Sequence, residues 1–339
     1  ESAMLIFVRA GAPKNFLAAS DPSRARDMWG GTVLKSKNEG VLYILIGVTG
    51  YAFLPTLVKG ILATGLDAID IAIWRFLFAT VAMWALIGLR NRRQGTASGG
   101  GSVPRVKMLG MGLLLGVAAL AAFFGLERIP ASTYVLIFYC YPVMVAVFSK
   151  LIGAPVPARF WVSLPLVLIG LALTLPDLAG VFSGATDALG ILMALINALA
   201  VAVYYMASNR LMRGRSTFIE SSAWTVTGAL GLMVMLLALR GVQIPTGIGW
   251  FYLLALAVVS TIVPTFALMH GIQKLGAARA SMVSMVEPVI SLVLAFFLLG
   301  DRLLPLQVIG AVLIITSVIL LQLPARRPVA PVLAETGTH

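Results

Sequence analysis

The sequence predicts an all-α integral membrane protein with ten transmembrane helices, arranged as two inverted five-helix repeats. Three observations carry this expectation. Of 339 residues, 60% are hydrophobic and only 11% charged, with a mean hydropathy of +0.98; soluble domains run about 45–50% apolar and about 25% charged. The apolar residues gather into ten runs near the roughly 20 residues that a spanning helix needs. Basic residues are dense in every second connection between those runs and sparse in the others.

The ten segments are 40–60, 67–89, 106–126, 130–150, 160–176, 187–211, 217–239, 248–270, 276–299 and 304–323. Ahead of them, residues 1–38 are polar and basic and carry Gly11, Pro13, Pro22, Gly30 and Gly31, which predicts a poorly ordered cytoplasmic tail. Its apolar run, Met4 to Val8, is too short for the core of a secretory leader. The first repeat is expected over 39–176 and the second over 187–323. A second cytoplasmic tail, with Arg326 and Arg327, follows over 324–339. Connections are short except 90–105, RNRRQGTASGGGSVPR, whose composition predicts a flexible basic loop.

Lys and Arg set the orientation, because cytoplasmic loops collect them. With the N-terminus cytoplasmic, twenty of the 25 fall inside; Lys59, Arg128, Arg240 and Arg302 fall outside, and Arg75 lies within a span. The opposite topology violates the rule heavily. The net charge of +12 therefore reflects loop charges beside a bilayer, with membrane lipids as neighbours and no nucleic-acid partner expected. The only cysteine, Cys140, lies in an apolar run and excludes an internal disulfide.

The two halves look related. Gly40 and Trp74 recur as Gly190 and Trp224 at a spacing of 150; Gly125, Ala131, Pro142 and Val143 recur as Gly271, Ala277, Pro288 and Val289 at 146. The four-residue change falls in the region of the long basic loop, where insertions are tolerated. Five spans per half is an odd number, so the second half enters from the opposite face. Such inverted repeats place a binding site near the midplane, between the halves.

Three stretches carry a family resemblance. GAARASMVSMVEPVISLVLAFFLLGDRLLPLQVIGAVLIITSVIL (276–320) resembles the second EamA domain of the drug/metabolite transporter superfamily. WRFLFA (74–79) resembles that family's second helix, and LERIPASTYVLIFYCYPVMVAVFSKLIG (126–153) is similar to the corresponding part of a first EamA domain. The resemblance implies ten helices with both termini cytoplasmic. It also implies export or exchange of small metabolites, often amino acids, in a bacterial inner (plasma) membrane. Substrate identity does not transfer. The sequence departs from its own symmetry at one point: Glu287-Pro288 in the second half stands where the first has Tyr141-Pro142.

Two ionisable residues lie well within spans, Arg75 and Glu287. A charge at the bilayer centre costs roughly 2.5–3.5 kcal/mol on insertion scales, so such residues face the bundle interior or a wet cavity. They are expected at similar depth, either as an ion pair that orients helices or as groups for substrate or protons. Ser284 and Ser291 lie at i−3 and i+4 of Glu287 and share its face. Pro288 frees the Ser284 carbonyl, which with the Ser284 hydroxyl can hold substrate or water. A carboxyl in a low-dielectric pocket has a raised pKa, which suits proton coupling.

Other spans add polar and aromatic stripes. Tyr134, Phe138 and Tyr141 recur at i, i+4 and i+7; Asn197, Tyr204 and Ser208 share a face, as do Gly47, Tyr51 and Pro55. Helix packing explains such stripes, and together they can also line an amphipathic chamber. The candidate substrate-binding set is therefore Tyr51, Arg75, Tyr134, Phe138, Tyr141, Asn197, Tyr204, Ser284, Glu287 and Ser291. Such a chamber suits an amino acid, an aromatic metabolite or a flat cation held against rings. Trp74, Trp84, Trp224 and Trp250 near span ends are expected as interface anchors. Gly112 and Gly116 form GxxxG, which permits close helix contact.

A membrane enzyme needs clustered ligands or acid/base pairs. The chain offers two histidines, His270 and His339, and no HExxH motif or phosphate-cradling glycine loop. His270 is expected to cap the eighth helix at the inner face. No enzyme activity, cofactor or metal is expected. The reading is a small-molecule carrier working by alternating access, with a multidrug or organic-cation exporter, or a channel, as alternatives.

Overall fold

The structure, a computed structural model, describes residues 38–94, 103–175, 187–300 and 302–323. Of the expected tails, residues 1–37 and 324–339, and half of the 90–105 loop, residues 95–102, lie outside the described residues. Among the described residues, ten helices follow one another: α1 (Asn38–Leu62), α2 (Ala68–Gln94), α3 (Arg105–Leu126), α4 in two halves (Ala131–Phe138 and Tyr141–Leu151), α5 (Ala158–Thr174), α6 (Ala188–Leu211), α7 (Phe218–Arg240), α8 (Gly249–Leu275), α9 in two halves (Ala277–Ser284 and Glu287–Leu294) and α10 (Pro305–Gln322). Among the described residues, nine are long and apolar enough to cross a membrane. The other, α5, has 17 residues, about 26 Å of helix.

The helices pair in a pattern that exchange of the halves preserves. α3 packs against α6 and α7, while α8 packs against α1 and α2, and α5 packs along α10. Moving five helices along the chain turns the first set of contacts into the second and returns α5–α10 to itself. Missing side chains allow the closest crossings. A Cβ on Gly112 in α3 would strike the Thr225 carbonyl of α7, and one on Gly228 would strike the Leu109 carbonyl of α3. Gly170 and Gly310 face each other across α5 and α10 in the same way. In lipid, where apolar surface gains little by meeting other apolar surface, such close backbone approach carries much of the packing.

Polar ties concentrate at the two ends of the bundle. At one, Lys274 pairs with Glu39 at 2.6 Å, Arg159 donates to the Leu323 carbonyl at 2.6 Å, and Gln273 donates to the Met212 and Arg215 carbonyls. At the other, Arg240 reaches Asp67 at 2.5 Å and Asp70 at 3.0 Å, and Arg128 meets Asp187 at 3.2 Å. Asp187 also caps α6 by accepting from the Leu189 and Gly190 amides. Partial burial raises the Asp67 carboxyl, but the Asp70 and Ile69 amides and the Arg240 guanidinium outweigh it and hold it below its ordinary value.

The fourth and ninth segments, expected as continuous spans, are both broken. The halves Ala131–Phe138 and Ala277–Ser284 stand 146 residues apart at each end, and so do the starts of the second halves, Tyr141 and Glu287. The cause is Pro142 and Pro288, each the second residue of its second half. Neither has an N–H to give the carbonyl four residues back, at Phe138 and Ser284. Two further departures are single π-helical turns, Val258–Ile262 in α8 and Ala295–Leu299 after α9.

Two expectations are corrected. α8 runs on to Leu275 and ends at Gly276, with φ +79°, so His270 is inside the helix and caps nothing. Its ring lies between Tyr43 and Phe218, at centroid distances of 4.0 and 4.1 Å. The tryptophans also do more than mark an interface. Trp74 packs edge-on against Trp250 and Trp84 against Trp224, and their indoles donate to the Gln243 carbonyl and the Thr227 hydroxyl.

Candidate functional site

A cavity of about 280 Å³ opens between the halves, at the small end of ligand pockets, which run roughly 300–1,000 Å³. Seven of the ten candidate residues line it: Tyr51, Arg75, Phe138, Tyr141, Asn197, Tyr204 and Glu287. Its remaining wall is apolar and comes largely from α3, through Leu115, Ala118, Ala119, Ala122 and Phe123. The alanines leave the room that larger side chains would fill.

Arg75 is held by the π-helical turn of α8. Its Nε donates to the Thr261 hydroxyl at 2.6 Å and its Nη2 to the Ser260 carbonyl at 3.1 Å. Sequence explains the second bond: Pro264 stands four residues beyond Ser260 and cannot donate to that carbonyl. The Ser260 hydroxyl in turn donates to the Gly50 carbonyl at 2.7 Å, fixing the turn against α1. Gly50 is required there, since a Cβ would strike the Val259 carbonyl. Two of the five guanidinium N–H groups are thereby committed, and the group lies over the Phe76 ring, 5.2 Å from its centroid.

Glu287 sits at the break in α9, among aromatic groups. Its carboxyl lies within hydrogen-bonding reach of the Tyr139 hydroxyl. Tyr139, Tyr141 and Phe138 pack ring against ring, with centroids 4.9–6.2 Å apart. Tyr141 continues to Tyr205 at 5.6 Å, whose hydroxyl meets that of Ser284 at 2.7 Å. The Tyr141 hydroxyl donates to the Ser281 carbonyl at 3.4 Å. No ion pair joins Arg75 to Glu287 among the described residues; Tyr51 lies near both and within reach of Thr265. The alternative of a directly paired Arg75 and Glu287 is therefore not the arrangement here.

Tyr134, Ser284 and Ser291 lie behind the lining. The Tyr134 hydroxyl accepts from the Asn197 amide at 2.6 Å and orients it. Ser284 bonds Tyr205 and its own helix, at the Ala280 carbonyl, while Ser291 donates to the Ala52 carbonyl at 3.4 Å. Tyr204 differs from its neighbours. It is 5% exposed, lines the cavity and has no hydrogen-bond partner for its hydroxyl among the described residues. Tyr139, Tyr205 and Thr261 were not singled out from sequence. Tyr139 stands at the break in α4, Tyr205 lies one position beyond Tyr204 in α6, and nothing in apolar periodicity marks a π-helical turn.

Comparison with known proteins places these features in a family. The model of the EamA-like transporter family matches residues 38–175 and again 188–323. An uncharacterized transporter of Archaeoglobus fulgidus is 24% identical over 223 residues, covering 64% of this chain and 76% of its own. The uncharacterized transporter YcbK of Bacillus subtilis is 24% identical over 281 residues, covering 80% and 88%. A protein of known crystal structure superposes over 86% of this chain and its own full length with a TM-score of 0.69 at 16% identity, a likeness of fold.

Proposed function

Because this chain belongs to the EamA-like transporter family, we propose that it is a carrier for a small zwitterionic metabolite, an amino acid or a related compound, working as an exporter or exchanger. The observation that carries this reading is the pair of opposite charges on one small cavity, Arg75 and Glu287, with Tyr51 near both and no ion pair joining them among the described residues. The substrate carboxylate meets the remaining Arg75 donors, and its amino group meets Glu287. The unpartnered Tyr204 hydroxyl and the Asn197 amide supply further polar contacts, and the α3 wall takes the side chain. Desolvated polar groups of this kind gain most when a ligand completes their hydrogen bonds.

All ten helices cross the membrane in this reading, with the halves in opposite sense and both tails in the cytoplasm of a bacterial cell. The reciprocal helix pairings and the matching breaks at Pro142 and Pro288 support an inverted repeat. Alternating access follows if the halves rock about the cavity. Proton coupling enters through Glu287. A carboxyl that faces a tyrosine hydroxyl, and is paired with no cation among the described residues, can exchange a proton for a substrate amine.

A second reading has its own support. Arg75 is already engaged by Thr261 and Ser260, while Glu287 stands among rings. That half of the site alone suits an organic cation. Counterflow in proteoliposomes with a panel of labelled amino acids and organic cations decides between them. Saturable exchange of zwitterions is expected. Exchange of cations alone would overturn the first reading, and no saturable exchange of any solute would overturn both.

A further inference from the structure

A second recess, of about 570 Å³, lies on the flank of the bundle between α1, α2, α7 and α8. Its floor is buried Met83 and Ala267 and its rim is exposed Ile46 and Leu86, with Arg90 as the one charged group on its lining. A shallower recess continues from Leu86 and Arg90 to Arg93. From Met83 to Arg90 the apolar track follows two turns of α2, about 10 Å.

We propose that this groove binds one anionic diacyl phospholipid, with an acyl chain along Met83–Leu86 and the phosphate at Arg90 and Arg93. Water does not fill such a space, because an ordered water needs two to four polar partners and the walls offer carbon. Lipid tails are the neighbours at this depth of an apolar bundle. The charge at the helix end selects the headgroup. Arg90, Arg92 and Arg93 cluster there, and Glu220 stands 3.8 Å from Arg90, so among the described residues three guanidinium groups meet one carboxylate. Basic recesses between spanning helices at headgroup level are suited to anionic lipids.

The full-length protein, delipidated in detergent, is titrated with dioleoyl phosphatidylglycerol and, separately, dioleoyl phosphatidylethanolamine, and bound lipid is counted by native mass spectrometry. One phosphatidylglycerol is expected to bind about thirtyfold more tightly than phosphatidylethanolamine, on the scale of two surface arginines. Arg90→Ala with Arg93→Ala should remove that preference, and Leu86→Trp, at an exposed rim position, should weaken both lipids by filling the groove. Thermal unfolding midpoints close to wild type establish that the variants are folded; should one misfold, the wild-type comparison of the two lipids still decides. Equal binding of both lipids by the wild type, retention of the preference in the double variant, or displacement by millimolar inorganic phosphate would overturn the proposal.

Discussion

The breaks in α4 and α9 have the same backbone and different chemistry. Both fall two residues before a proline-led second half, 146 residues apart. One presents Tyr141, which reaches the opposite break at the Ser281 carbonyl, while the other presents Glu287, which reaches back toward Tyr139. The lesson is a division of labour. Proline dictates where each helix opens, whichever half it is in. The residue just before it decides what the opening offers, a phenol from one half and an ionisable carboxyl from the other.

Experiments that alter this asymmetry are ordered by expected effect. Glu287→Gln keeps the shape and removes the charge. Counterflow of a zwitterion should fall at least about tenfold, since a hydrogen bond to a charged group is worth about 1.5–3 kcal/mol, and uptake driven by a pH gradient should vanish. Full pH-driven uptake would remove Glu287 from the mechanism. Thr261→Val tests the other charge. It strips Arg75 of its 2.6 Å acceptor and should raise KM about tenfold for a carboxylated substrate, with little change for a cation lacking a carboxylate. Tyr139→Phe leaves the rings and deletes the hydroxyl facing Glu287. A smaller loss, about threefold in counterflow, is expected, because the carboxyl itself and its contact with the substrate amine remain. The mildest change is Asp67→Asn, remote from both breaks. The Asp67 carboxyl is lowered in the folded state, so its contribution is present at neutral pH and fades as the pH falls through that lowered value. With its side chain 48% exposed, thermal unfolding should show a loss of about 0.2–1 kcal/mol at pH 7 and none in strong acid.

The sequence made the helices legible because each is a run of apolar residues bounded by charge or glycine, and that signal is local. Each expected segment is helical over most of its length, the fourth and ninth in two pieces. Pro288 was visible too, as the residue that frees the Ser284 carbonyl. What stayed hidden depends on contacts between helices. The partner of Arg75 is a carbonyl and a hydroxyl in a π-helical turn 185 residues away, and a turn that inserts one residue leaves the apolar pattern intact. Tyr134, Phe138 and Tyr141 read as one stripe, yet Phe138 and Tyr141 line the cavity while Tyr134 stands behind it and supports Asn197. His270, near a segment end by composition, proved to be inside a helix that continues for five more residues to Leu275.

The most direct measurement is competition. Counterflow of the zwitterion selected by the panel is challenged with two analogues, one keeping only its amino group and one only its carboxylate. If Arg75 and Glu287 grip opposite ends of one substrate, the intact zwitterion competes far better than either analogue, and Glu287→Gln erases its advantage over the carboxylate alone. If the amine competes as well as the zwitterion, Arg75 is a structural brace and the two-charge site is refuted.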